Sequence, residues 1–181
     1  MLEIVLARLE VHSRALEALA RLLSADELAR AARLRARRHR DRFVAARGTL
    51  RRLVGERTGE DPRAVAFVYG ASGKPALENG ALHFNVSHSE DLALYAFSGA
   101  EVGVDVEAVR EVPEADRLAR EWFDEDEYRR YGFLGCWTRR EALAKARGRG
   151  ITEAVDASGW RVRGFSPAPG YVAAVAVRSS R

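Results

Sequence analysis

The chain is poor in the residues that staple or anchor small proteins. It has one cysteine, Cys136, among 181 residues, so no disulfide can form within it. A reduced, cytoplasmic setting is the expectation. With one cysteine and four scattered histidines, a Cys/His metal site is excluded. No apolar run approaches the ~20 residues that a membrane span needs. Met1 to Glu10 carries acids and alternates like a strand, so it does not read as a signal peptide, and no membrane partner is expected. A composition that is 47% hydrophobic and 31% charged excludes a disordered chain, a collagen-like fibre and a disulfide-framed mini-protein. The length fits one compact domain, or two small halves sharing a core.

Lysine is almost missing. Of the 30 basic residues, 28 are arginine, and only Lys74 and Lys145 are lysine. Alanine is abundant, while isoleucine and asparagine are scarce. This is the mark of a GC-rich coding bias, which turns lysine into arginine wherever either serves. A site that needs a compact ammonium refuses the planar guanidinium fork. The two lysines therefore mark candidate sites, with chance survival as the alternative.

Charge is present in quantity but uneven. Arg30 to Arg52 holds ten arginines against Asp41, a local net of +9. Glu101 to Glu127 holds eleven acids and three arginines, a local net of −8. Such halves suit one anionic ligand held partly by arginine and partly through a metal.

Leu2–Leu9 alternates as a strand. Ser24 to Glu27 is a capping box that predicts a helix to about Arg38. A second helix is expected over about Asp41–Arg57, ending near Gly59 and Pro62. Ala66–Tyr69 reads as a strand and Gly70–Pro75 as a loop. Leu82–Val86 and Leu92–Phe97 read as strands joined by a polar turn over Ser87–Asp91. Val102–Val106 is a further strand. Helices are expected over Pro113–Arg130 and Leu134–Arg147, the latter closed by Gly148 and Gly150. Trp160–Arg163 and Tyr171–Val177 close the chain as strands. The order suggests an α+β fold of two halves meeting near Ser98 to Val102.

Five constellations could carry chemistry. In Val102-Gly103-Val104-Asp105-Val106-Glu107, Asp105 and Glu107 share one strand face. Two adjacent carboxylates repel unless they are solvated, protonated or holding a cation; an acidic, half-exposed strand face is the bland alternative. On the Trp137 to Lys145 helix, Glu141 and Lys145 lie at i and i+4, as an ordinary salt bridge or as a metal ligand beside a phosphate-binding ammonium. Phe84-Asn85-Val86-Ser87-His88-Ser89 is either a phosphate pocket or a strand end with a structural histidine. Gly73-Lys74-Pro75 pre-positions a lysine, but lacks the spacing of a P-loop. The Arg30–Arg52 run has only Phe43 interleaved, which argues against a single-strand stacking surface.

Taken in order, these motifs resemble the 4′-phosphopantetheinyl transferases, specifically the Sfp-type single-chain branch. The signature spans Gly73 to Gly148, with weaker similarity back through Ser24 to Arg52. The resemblance implies a pseudo-dimer of two similar α+β halves, residues 1–98 and 99–181, with the active site in the cleft between them. It implies transfer of the phosphopantetheine arm from coenzyme A, the co-substrate, to a serine of an apo acyl or peptidyl carrier protein. The by-product is adenosine 3′,5′-bisphosphate. Asp105, Glu107 and Glu141 match the ligands for Mg²⁺, or Mn²⁺ in its place. Asp105, Glu141 and Lys145 are the catalytic candidates, with Glu141, or a water it orients, as the base for the carrier serine. Lys145 also matches the lysine near the pyrophosphate. Lys74, Pro75, Ser87 and His88 match positions around the adenosine and its 3′-phosphate, and Arg30 and Arg42 fall where relatives place cations for that phosphate. Glu27 stands where some relatives carry lysine, which shifts that clamp onto Arg30, Arg42 and His88. Trp122 and Phe123 are the expected carrier-facing residues. A monomer with no nucleic-acid partner is implied. A basic nucleic-acid-binding module and a catalytically silent coenzyme A scaffold are the competing readings.

Overall fold

The computed structural model describes residues 1–70, 73–150 and 156–179. Strand β1 (Leu2–Arg8) leads into α1 (Ser13–Ala20), α2 (Ala25–Ala32) and α3 (Arg37–Thr58). Short strands β2 (Phe67–Tyr69) and β3 (Pro75–Leu77) precede the hairpin of β4 (His83–Ser89) and β5 (Leu92–Ser98). Then come β6 (Val102–Ala108), α4 (Ala115–Trp122), α5 (Glu125–Arg147), β7 (Trp160–Phe165) and β8 (Tyr171–Arg178). The α+β expectation holds.

Two three-stranded antiparallel sheets have the same plan. In β1-β5-β4 the first strand pairs with the last strand of a later hairpin, and β6-β8-β7 repeats this. Each sheet has one long helix, α3 or α5, between its first strand and its hairpin.

Period-2 alternation sorts the core into layers. On β5, Ala93, Tyr95 and Phe97 face Leu50, Leu53 and Val54 of α3. The alternate residues Leu92, Leu94 and Ala96 meet Val102, Val104 and Val106 of β6. On β8, Ala173 and Val175 join that inter-sheet cluster, while Ala174 and Ala176 face Ala142 and Ala146 of α5. The opposite face of β6 therefore lies under α5, and it carries Gly103, Asp105 and Glu107.

Several boundaries differ from the sequence reading. The helix begun by the capping box stops at Ala32, because Arg33 turns the chain and Ala36 is extended before α3 starts at Arg37. No glycine or proline marks this break; it falls where arginines crowd, and like charges at helical spacing disfavour continuation. The capping box itself is present, with Ser24 N donating to Glu27 at 3.0 Å. Helix α1 is capped by the His12 ring rather than by a serine or aspartate. The stretch 113–130 is two helices, since Phe123 is extended and Asp124 caps α5 by accepting from Asp126 N and Glu127 N. Gly132, at φ 65, kinks α5 just before the expected helix at Leu134. The turn over Ser87–Asp91 is shorter than expected: β4 runs on to Ser89. Residues 71–72 of the expected loop lie outside the described residues.

Gly103 fixes how closely α5 approaches. A Cβ there would fall 2.1 Å from Ala142 O and 2.3 Å from Ala146 N. Backbone atoms cannot yield to such a clash. Gly103→Ala is expected to cost about 3 kcal/mol or more, read as a lowered urea midpoint; an unchanged midpoint would contradict the packing described.

Candidate active site

The site is built where the edge of one sheet meets the edge of the other. β4 and β6 are both edge strands, and edge strands carry unpaired backbone groups. Side chains of β4 occupy those groups. Asn85 Oδ1 accepts from Val104 N at 2.9 Å, Ser87 Oγ from Val106 N at 3.4 Å, and Ser89 Oγ from Ala108 N at 3.0 Å. The constant 19-residue offset in all three means that the strands run side by side in the same direction.

The two serines repeat one device. Each accepts from a β6 amide and donates to the carboxylate one residue earlier. Ser87 Oγ lies 2.8 Å from Asp105 Oδ1, and Ser89 Oγ lies 3.2 Å from Glu107 Oε2. Lys145 Nζ adds bonds to Ser87 Oγ at 3.1 Å and to Asp105 Oδ1 at 2.6 Å. Ammonium and amide can only donate. The single Ser87 proton is therefore committed to Asp105, which fixes the orientation of that carboxylate.

The electrostatics are those of crowded acids. Asp105 is only 4% exposed, so it is not part of a half-exposed acidic face. Burial pushes its carboxyl above the ordinary value, against the pull of Lys145 and Ser87. Burial also raises the Glu141 carboxyl; Asp105 and Glu107 add to the effect, and Lys145 opposes it. Asp105 Oδ2 is buried with no hydrogen-bond partner. A buried carboxylate oxygen without a hydrogen-bond partner suits a hard divalent cation.

The expected ligand set is only partly gathered. Among the described residues, no three His, Cys, Asp or Glu side chains converge into a ready metal cage. Lys145 holds one oxygen of Asp105, and Glu107 is drawn to Ser89 and to Arg110 Nη1 at 2.7 Å. Mg²⁺ does not require a full protein cage, because it keeps waters and takes substrate phosphates. The oxygen donors present fit such an ion.

A cleft of about 420 Å³ opens beside these residues. Its lining comes from α2, α3, the Gly73-Lys74-Pro75 segment, β4, α5, and Arg149 and Gly150 beyond α5. Among the expected residues, Arg30, Lys74, Pro75, His88, Glu141 and Lys145 line it. Desolvation holds the His88 imidazole below its usual value, and Lys145 and Arg42 add to this.

Three expected residues are placed differently. Arg42 is not in the cleft lining; its guanidinium pairs with Glu10 at 3.0 Å and Glu90 at 3.2 Å. Ser87 is buried in the strand ladder, away from the cleft wall. Lys74 lines the cleft, but its Nζ donates to Val102 O at 2.8 Å and Ala146 O at 3.4 Å. Arg47 was not anticipated. Phe43, Ala46, Arg47 and Leu50 line the cleft at i, i+3, i+4 and i+7, a stripe legible in the sequence. Glu27 is buried and pairs with Arg47 at 3.2 Å and Arg51 at 2.6 Å. Among the described residues, five cationic side chains and one carboxylate line the cleft, so it favours anions.

Much of the arginine run is already spent. Arg37, Arg38, Arg42, Arg47, Arg51 and Arg52 pair with acids of the same chain. Trp122 stacks on Trp137 with ring centroids 5.6 Å apart, and Phe123 meets Phe133 edge-on at 5.6 Å.

Comparison with known proteins decides the family. The model of the 4′-phosphopantetheinyl transferase superfamily matches residues 101–175, the segment that holds Asp105, Glu107, Glu141 and Lys145. The 4′-phosphopantetheinyl transferase HetI of Nostoc sp. is 37% identical, over 90% of this chain and 81% of its own. The chain belongs to the 4′-phosphopantetheinyl transferase superfamily. The putative 4′-phosphopantetheinyl transferase slr0495 of Synechocystis sp. is 34% identical over 72% of this chain and 59% of its own length. The 4′-phosphopantetheinyl transferase AcpT of Salmonella typhimurium is 40% identical over 45% and 49%, respectively. The family is one of transferases, so the chain is an enzyme of that class. Among the described residues, no helix is long and apolar enough to cross a membrane.

The raised Glu141 carboxyl gives a test on the metal-free protein. A charge disfavoured in the fold costs stability above the folded pKa, and that cost vanishes as pH falls to the unfolded value. Glu141→Gln should therefore melt higher than wild type at neutral pH, with the gap closing in acid. Added Mg²⁺ should raise the wild-type melting temperature and leave the variant nearly unmoved. A variant that melts lower at neutral pH would contradict the electrostatic account.

Proposed function

We propose that the protein transfers the 4′-phosphopantetheine group of coenzyme A to a serine of an apo acyl or peptidyl carrier protein, releasing adenosine 3′,5′-bisphosphate. The observation that carries this reading is that Glu141 and Lys145 share the wall of a cation-lined cleft, with Lys145 paired to buried Asp105. The identically ordered sheets support two halves, residues 1–98 and 99–181, arranged as a pseudo-dimer with this cleft as the active site. The arrangement supplies both halves from one chain, and a monomer follows. A cytoplasmic setting accords with the single cysteine.

Attack on a pyrophosphate phosphorus needs alignment and charge neutralisation more than covalent help. Arg30, Arg47 and His88 line the part of the cleft suited to phosphate. Lys145, held by Asp105 and Ser87, presents an ammonium at a fixed position. When bound, Mg²⁺ or Mn²⁺ on Asp105, Glu107 and Glu141 supplies Lewis acidity at phosphoryl oxygens. The carrier serine must lose its Oγ proton. Glu141, with its carboxyl shifted upward, takes that proton directly or through a water that it orients. Trp122 and Phe123, beside the start of α5, remain our candidates for carrier contact.

The direct test is the intact mass of a panel of apo carriers after incubation with the protein, coenzyme A and Mg²⁺. One carrier should gain a single phosphopantetheine, and the gain should vanish with EDTA or with Glu141→Ala. Failure on every carrier, with no coenzyme A bound, would overturn the proposal.

A further inference from the structure

Lys74 is one of two lysines in a chain that otherwise uses arginine. Its ammonium sits in the cleft wall, yet it faces the protein backbone. Nζ donates to Val102 O, at the start of β6, and to Ala146 O, near the end of α5. These carbonyls belong to two elements that Gly103 allows to touch, since a Cβ there would overlap Ala142 O and Ala146 N. The ammonium therefore closes the corner where strand and helix meet. The backbone around Lys74 is itself a cleft wall, with Gly73 and Pro75 on either side of it. Gly70 N donates to Lys74 O at 3.2 Å, so the segment is also tied to β2.

We propose that Lys74 is a positioning residue: its ammonium straps the Gly73–Pro75 wall of the cleft to β6 and α5, and sets donor affinity without touching the donor's phosphates.

This rests on the proposed use of coenzyme A. It assigns Lys74 a role different from that of an anion ligand, and it explains why arginine is absent. Two carbonyls of closely packed elements leave room for a compact ammonium with rotatable donors, whereas a planar fork is larger and rigid. Burial lowers Lys74 to about 8, against the opposing pull of Glu101, and the hydrogen-bond partners of its ammonium are two neutral carbonyls.

The test has two arms. In protein labelled with ¹⁵N-lysine only two side-chain signals arise, from Lys74 and Lys145. The Lys74 ammonium should be protected from exchange with water in the ligand-free protein, and Lys74→Met should confirm the assignment by deleting the signal. This arm does not depend on function. In the second arm, calorimetry with coenzyme A and with its 3′-dephospho form measures binding to wild type, Lys74→Met and Lys74→Arg. Both variants should weaken the two donors alike, by about tenfold, with kcat on a competent carrier changed far less than KM. A freely exchanging Lys74 ammonium overturns the strap. Weakened coenzyme A with unchanged dephospho-coenzyme A overturns it in favour of a phosphate contact, as does full rescue by Lys74→Arg. Wild-type protein that binds neither donor removes the coenzyme A reading and the affinity role with it, and a protected ammonium would then remain as a fold contact only.

Discussion

A ladder of three side chains on one edge strand does the work that a neighbouring strand usually does. Asn85, Ser87 and Ser89 accept from alternate amides of β6, so these amides of the β6 edge are not left unpaired at the junction. Backbone amides buried without partners would cost about 1–3 kcal/mol each. The two serines also have a hydroxyl proton to give, and each gives it to an acid of the facing strand. The contact that joins the sheets is thereby the contact that orients Asp105 and Glu107. Joining and orienting cannot be separated, because they use the same oxygen atoms.

Small residues make the second half of the site reachable. Ala142 and Ala146 of α5 lie on Gly103, Ala174 and Ala176. A helix packed over larger side chains would stand further from the sheet. Here the Lys145 ammonium comes within 2.6 Å of Asp105, and Glu141, one turn earlier, reaches the cleft. The charge pattern then resolves itself. Burial and mutual repulsion raise Asp105 and Glu141, while the cleft wall is rich in cations. Carboxylates thus crowd one side of the junction, and cations line the cleft on the other.

Much of this was legible in the sequence. The alternation of Val102 to Glu107 separates core valines from polar neighbours, and the structure keeps that division. The i, i+4 spacing of Glu141 and Lys145 does put both on one cleft. What sequence could not carry was the partner of each group. Nothing local to Lys74 announces the carbonyls of residues 102 and 146 that its ammonium meets. Ser87 and Ser89 looked like a turn because serine after a strand usually marks one; tertiary bonds to β6 keep them extended. The end of α2 lacks a stop signal, and Asp124 was hidden inside a run of acids that reads as helix surface. In each case the deciding contact is far away in the chain.

The central claim is that the hydroxyl of Ser87 joins the sheets and holds the reacting groups at once. The most direct measurement is Ser87→Ala, assayed in one preparation for urea unfolding and for phosphopantetheine transfer to a competent carrier. The account predicts a lower unfolding midpoint together with a loss of transfer of about tenfold or more under conditions where the variant is fully folded. A folded variant that is less stable but transfers at the wild-type rate, with unchanged donor KM, would contradict it.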